Sequence, residues 1–173
     1  QINVLGGVKD DFGGGTDPAS PSAEFIATLS DYLQQDVEPD LVAYDATAGN
    51  SNFADTLTFA LNPGFVVTAA TVTIKLQGIG GAAETDALQF FQGDNLIAFL
   101  NIRDVTGVNW TTGTTAEVTL NLAALPNDES RAPNGSNILS SLDDGTLDIL
   151  MRDDTSVDFV ELLATASPSG AAD

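Results

Sequence analysis

The chain contains no histidine and no cysteine. Without histidine there is no imidazole base, no imidazole metal ligand and no side chain whose ordinary pKa lies near neutrality. Without cysteine there is no thiol nucleophile, no disulfide and no thiolate zinc site. Bases are scarce as well. Five Lys plus Arg stand against 25 Asp plus Glu, for a net charge of -20. The five are Lys9, Lys75, Arg103, Arg131 and Arg152. Phosphate binding needs clustered Lys and Arg, so nucleic acid and anionic membrane surfaces are poor partners. No apolar run reaches the roughly 20 residues of a membrane-spanning helix, so no membrane span is expected. Trp110 is the only tryptophan.

What is present is acid, hydroxyl and apolar side chain. Charged residues make up only 17% of the chain, so the net charge reflects missing bases more than an excess of acids. A hydrophobic share of 43% in 173 residues is enough for one domain with a core. Carboxylates, amides and hydroxyls suit hard cations, water and sugars. The chain begins at Gln1, as a mature chain does once a leader is removed, and this points to an extracellular or cell-surface location.

Residues 1-22 differ from the rest. Gln1-Ile2-Asn3-Val4-Leu5 is a short β-prone piece, followed by Gly6-Gly7 and Gly13-Gly14-Gly15 and closed by Pro18 and Pro21. Such a stretch cannot bury its own apolar side chains. It reads as a solvated tail or as an extended arm. In the second reading Ile2, Val4 and Leu5 anchor a donor strand in the sheet of another copy of the chain. From Ser20 to about Gln35, Phe25, Ile26, Leu29, Tyr32 and Leu33 recur at helical spacing, with Ser20 as N-cap and Pro21 at the first helical position. Asp36 to Pro39 stops that helix.

From residue 41 onward short strands follow one another. Leu57, Phe59 and Leu61 alternate with polar or small residues, as do Val72, Ile74 and Leu76, then Val118, Leu120 and Leu122. Leu88 to Leu100 turns back at Gln92-Gly93-Asp94-Asn95. Leu147 to Arg152 and Val157 to Thr165 read as a hairpin around Asp153-Asp154-Thr155-Ser156. Roughly eight strands without long intervening helices fit an all-β, antiparallel sandwich of the jelly-roll kind over residues 23-168, with a tail at 169-173.

Several runs then carry a resemblance. They are Phe53-Ala54-Asp55-Thr56-Leu57-Thr58-Phe59, Ala70 to Leu76, Thr85-Asp86-Ala87-Leu88, Trp110-Thr111-Thr112-Gly113, Asn121 to Pro126, Gly145 to Ile149 and Asp153 to Phe159. In this order they resemble a loose group of bacterial secreted β-sandwich domains, some of which occur in surface or matrix proteins. The resemblance covers residues 41-165. It implies a jelly roll and an exported location, and it supplies no catalytic residue.

Three constellations invite chemistry. Asp153, Asp154 and Asp158, with Asp86 in a preceding loop, offer carboxylates to Ca²⁺, which takes six to eight oxygen ligands. A plain hairpin turn is the competing reading, because Asp and Ser favour turns. Asp10, Asp11 and Asp17 lie in the arm, as solvated charge or as ligands for a cation between subunits. Trp110 is either a sugar platform or a core-edge residue. Paired carboxylates also serve glycosidases, but sugar clefts usually stack several aromatic rings, and serine schemes lack both histidine and the nucleophile elbow. No enzymatic activity is expected. Two functions remain: a structural subunit that self-assembles into a fibre or sheet through its N-terminal strand, or a Ca²⁺-dependent carbohydrate-binding or adhesion module with glycans as partners.

Overall fold

A computed structural model describes residues 1–47, 49, 51–83 and 85–170. Two sheets face each other. One has the order β1-β9-β4-β7, with β1 Ile2–Gly7, β4 Phe65–Gly78, β7 Thr115–Asn121 and β9 Thr155–Pro168. The other has the order β2-β3-β8-β5-β6, with β2 Leu41–Val42, β3 Asn52–Thr58, β5 Ala87–Gln92, β6 Asn95–Asn101 and β8 Thr146–Met151. All pairings are antiparallel except the two-residue contact of β2 with β3. From β3 onward the chain passes repeatedly from one sheet to the other, with β5 and β6 a hairpin within one sheet. The all-β sandwich expected from the alternating pattern is therefore the fold.

The core lies between the sheets. Phe53 and Leu57 of β3, Leu147, Ile149 and Met151 of β8, and Val72, Ile74 and Leu76 of β4 are all buried there. These residues are two or four apart along each strand, an even spacing that sends their side chains to one face. The same rule points Ala54, Thr56 and Thr58 of β3 and Thr146, Asp148 and Leu150 of β8 to the outer face. Helix α1, Ala23–Leu33, packs on that outer face, burying Phe25 and Leu29 against Ala54, Phe91 and Leu150. The Phe25 and Phe91 rings lie 5.5 Å apart. The helix begins two residues later than its periodicity suggests. Ser22, not Ser20, is the N-cap, and its Oγ accepts the Phe25 amide at 3.1 Å. A second short helix, α2 Ile102–Thr106, follows β6.

Two sequence expectations change. β8 and β9 are not a hairpin, because β8 pairs with β3 and β5 while β9 pairs with β1 and β4. Asp153 and Asp154 therefore sit where the chain crosses between sheets. Nor does the arm stand apart. Ile2 to Gly7 pair with Ala164 to Phe159 of the same chain, so β1 is an edge strand of its own sandwich. Ile2 and Val4 pack against the core as alternation predicts. Leu5 is 47% exposed and anchors nothing, because it falls on the outward parity. Of the tail expected at 169-173, residues 171-173 lie outside the described residues.

Candidate functional site

The four aspartates expected to share a cation are divided between two places. Asp86 is buried, and its Oδ2 accepts the Thr155 hydroxyl at 2.8 Å. Burial pushes its carboxyl up, while the Thr155 hydrogen bond opposes the shift and Asp153 and Asp154 add to it. Asp153 and Asp154 are thus electrostatic neighbours of Asp86. Asp153 adopts a left-handed φ of 73° at the crossover, which short polar side chains tolerate. Asp158 is elsewhere. It is only 1% exposed and faces the arm.

The placement of Asp158 follows from an irregularity in β9. Lys75 pairs with Phe159 and Leu76 with Val157, so Asp158 is the extra residue of a β-bulge. Bulges re-aim side chains, and this one directs a carboxylate past the end of β1. Asp158 Oδ2 accepts the Asp11 amide at 3.2 Å and Oδ1 accepts the Phe12 amide at 3.1 Å. Both donors have left-handed φ values, 59° and 61°, in the turn that reverses the arm. Gly7 lets the arm reach this point, since a Cβ there would lie 2.6 Å from the Asp158 carbonyl oxygen.

Beyond the turn the arm returns to the body. The Tyr44 amide donates to the Asp17 carbonyl at 2.9 Å, and the Asp45 amide donates to the Val157 carbonyl at 2.8 Å. These bonds bring Asp10 and Asp17 of the arm to Asp45 of the β2–β3 loop. One carboxylate oxygen from each of the three lies within 4.8 Å of the others. Asp45 is 7% exposed, and neither of its carboxylate oxygens has a hydrogen-bond partner. Asp10 Oδ1 and Asp17 Oδ2 are likewise buried and unpartnered. Burial first, then Asp158, Asp10 and Asp17, push the Asp45 carboxyl up to about 8. Asp10 is also raised, by burial and by Asp158 and Asp17. Around this junction Lys75 pairs with Asp11, and Lys9 pairs with Glu161 at 2.8 Å while lying 4.9 Å from the centre of the Phe159 ring. Sequence reasoning saw Asp10 and Asp17 in the arm but not Asp45, which shows no local signal and is joined to them only by the fold.

Trp110 is not a platform. It is 1% exposed, and its Nε1 donates to Thr155 Oγ1 at 2.8 Å. Trp110, Thr155 and Asp86 form a buried chain of hydrogen bonds where β5 and β9 begin.

A second concave region lies where α1 meets the outer faces of β3 and β8. This cleft has a volume of about 540 Å³. Its walls carry the hydroxyls of Ser22, Thr28, Thr56, Thr58 and Thr146 and the carboxylates of Glu24, Asp94, Asp144 and Asp148, with Phe25 the one aromatic ring. Several hydroxyls are already oriented. Thr56 Oγ1 donates to Asp148 Oδ1 at 2.6 Å and accepts the Ser22 amide at 2.9 Å. Thr146 donates to Asp144 Oδ1 at 2.8 Å. Burial raises the Asp148 carboxyl, with Asp144, Glu24 and Asp55 adding to the rise and the Thr56 hydrogen bond opposing it. No base lines the cleft.

No protein-family model matches the sequence, and no curated protein matches it. A solved structure of a family 35 carbohydrate binding module from an environmental isolate aligns over 97% of this chain and 98% of its own, at 15% identity and a TM-score of 0.33. Among the described residues no helix is long and apolar enough to cross a membrane.

Proposed function

We propose that the chain is an extracellular carbohydrate-binding module whose ligand sits in the cleft between α1 and the β3–β8 face. The observation that carries this reading is the lining itself: pre-oriented hydroxyls and carboxylates around a cavity of about 540 Å³, without a base. That volume lies within the range of small-molecule sites. Carboxylates accept hydrogen bonds from sugar hydroxyls, and threonine hydroxyls both donate and accept. The negative lining repels sulfated and uronic sugars, so neutral oligosaccharides are the favoured class. Phe25 is buried, so the lining offers no exposed ring to stack on, and affinity is modest, on the order of 0.1–1 mM. The role is binding, not catalysis.

The test is calorimetric titration of neutral oligosaccharides, chosen from an array, against wild type, Asp148→Ala and Thr56→Val. Both substitutions should weaken binding at least several-fold. Absence of binding to every neutral glycan, or binding that neither substitution alters, would count against the cleft. Release of new reducing ends would move the reading to hydrolysis.

A second reading, self-assembly through the N-terminal strand, is favoured by one observation. β1 is an edge strand joined to the body through Gly13-Gly14-Gly15. Exchange of such an element between copies is a low-cost route to oligomers. Assembly would then require the strand to leave its own β9. Deleting residues 1-12 would bare the β9 edge and promote aggregation. Ordered filaments that persist after that deletion, when the donor strand is gone, would count against exchange as the role of the arm.

A further inference from the structure

We propose that Asp10, Asp17 and Asp45 form a Ca²⁺ site that clamps the N-terminal arm onto its own sandwich. The three carboxylates come from two separate parts of the chain and converge within 4.8 Å. Convergence alone is common among acids. The distinguishing feature is Asp45, 7% exposed with both oxygens unpartnered. Buried charge of this kind is costly unless paired or bound to a metal. Counting Asp10 Oδ1 and Asp17 Oδ2, four buried carboxylate oxygens lack partners at this one junction.

No neighbouring base satisfies them, and the carboxyls of Asp158 and Asp17, within hydrogen-bonding reach, can do so only by sharing a proton. Asp158 is also acidic, and its two oxygens are engaged by the Asp11 and Phe12 amides. Lys75 is paired with Asp11. The donor set selects the ion. Hard carboxylate oxygens on loops suit Ca²⁺, which tolerates irregular geometry and fills its shell with water, better than Mg²⁺, which demands a near-ideal octahedron. A Cys- or His-ligated zinc site is excluded by the sequence.

The consequence is mechanical. Asp10 and Asp17 belong to the arm, whereas Asp45 is fixed to β9 through the hydrogen bond that its backbone N–H donates to the Val157 carbonyl. An ion held by all three closes the arm after β1 and holds that strand in cis. Without the ion, the carboxyls must either repel one another or take up protons, and the arm is easier to open.

The experiment is thermal unfolding of the whole chain at neutral pH in EDTA, then in CaCl₂ and MgCl₂, for wild type, Asp45→Asn, Asp17→Asn and Asp153→Asn. Extracellular modules bind Ca²⁺ at about 0.1–1 mM. Calcium at about 10 mM should therefore raise the wild-type melting temperature by about 3–10 °C, with a smaller effect of magnesium. The rise should vanish in Asp45→Asn and Asp17→Asn and persist in Asp153→Asn. In EDTA, Asp45→Asn should melt at or above the wild type, because a neutral amide removes the crowded charge. No calcium response in wild type, or an undiminished response in Asp45→Asn and Asp17→Asn, would overturn the proposal. So would a response lost only in Asp153→Asn, which would put the ion at the crossover.

Discussion

The Phe12 amide donates to Asp158 Oδ1 at 3.1 Å, and this bond fastens the turn of the arm to the bulge of β9. The neighbouring Asp11 amide makes the matching bond to Oδ2. One buried carboxylate thus receives two backbone donors from a segment 146 and 147 residues away in sequence. Hydrogen bonds to charged groups contribute about 1.5–3 kcal/mol each, and a buried donor left without an acceptor costs a similar amount.

Replacing Asp158 by Ala should accordingly destabilise the fold by about 1–3 kcal/mol, less than the sum of two such bonds because it also relieves charge repulsion. Asp158→Asn should cost less, since its side-chain carbonyl still accepts one amide. Urea unfolding of the two variants checks the order. Equal stability of wild type and Asp158→Ala would mean that the arm is not docked.

The acidic junction makes stability depend on pH. The Asp45 carboxyl is pushed from its ordinary 3.8 up to about 8, chiefly by burial and then by Asp158, Asp10 and Asp17. Between these values the folded chain holds a proton that the unfolded chain has lost, so this group makes stability fall as pH rises. The fall starts near 3.8, continues to about 8 and levels off above it. Lys75 stands beside the same junction, and its bond to Asp11 pushes its pKa up, so it stays positive across that window. In EDTA, the difference in melting temperature between Asp45→Asn and wild type should therefore widen in favour of the variant as pH is raised from about 4 to 8. Saturating calcium should shrink that difference or reverse it.

Trp110 serves as an internal reporter. Its ring is buried and hydrogen-bonded to Thr155, so its emission should be blue-shifted in the native chain and red-shifted only on unfolding. Titration with a bound oligosaccharide should leave that emission unchanged, because the cleft is lined by other residues. Trp110→Phe should lower stability by about 1–3 kcal/mol, as Thr155 Oγ1 loses its donor within the core. A large quench on adding sugar would restore Trp110 as a contact residue.

The alternation of Val72, Ile74 and Leu76, or of Leu147, Ile149 and Met151, is a local property that survives in the fold unchanged, so the sandwich was legible in the sequence. The helix was legible too, though its cap lies at Ser22 because that hydroxyl, not the one at Ser20, meets the Phe25 amide. Strand pairing was less accessible. Leu147 to Thr165 reads as a hairpin because its turn residues are those of a hairpin, while β4 and β1, far away in sequence, pair with β9 instead. The site suffered most. Asp153 and Asp154 stand out as a run, but the convergent carboxylates come from positions 10, 17 and 45, and the bulge that aims Asp158 at the arm has no signature in its own segment. The cleft escaped notice because its threonines are spaced as ordinary outward-facing residues.

The N-terminal strand pairs with β9 of its own chain, beside the aspartate junction proposed to hold it there. Amide hydrogen exchange of residues 1-12, followed over a range of protein concentrations in calcium and in EDTA, tests this pairing most directly. Residues 2-7 should be protected to the same degree at every concentration, and more strongly in calcium. Exchange at the rate of an unstructured chain in both conditions, or protection that appears only as concentration rises, would contradict it.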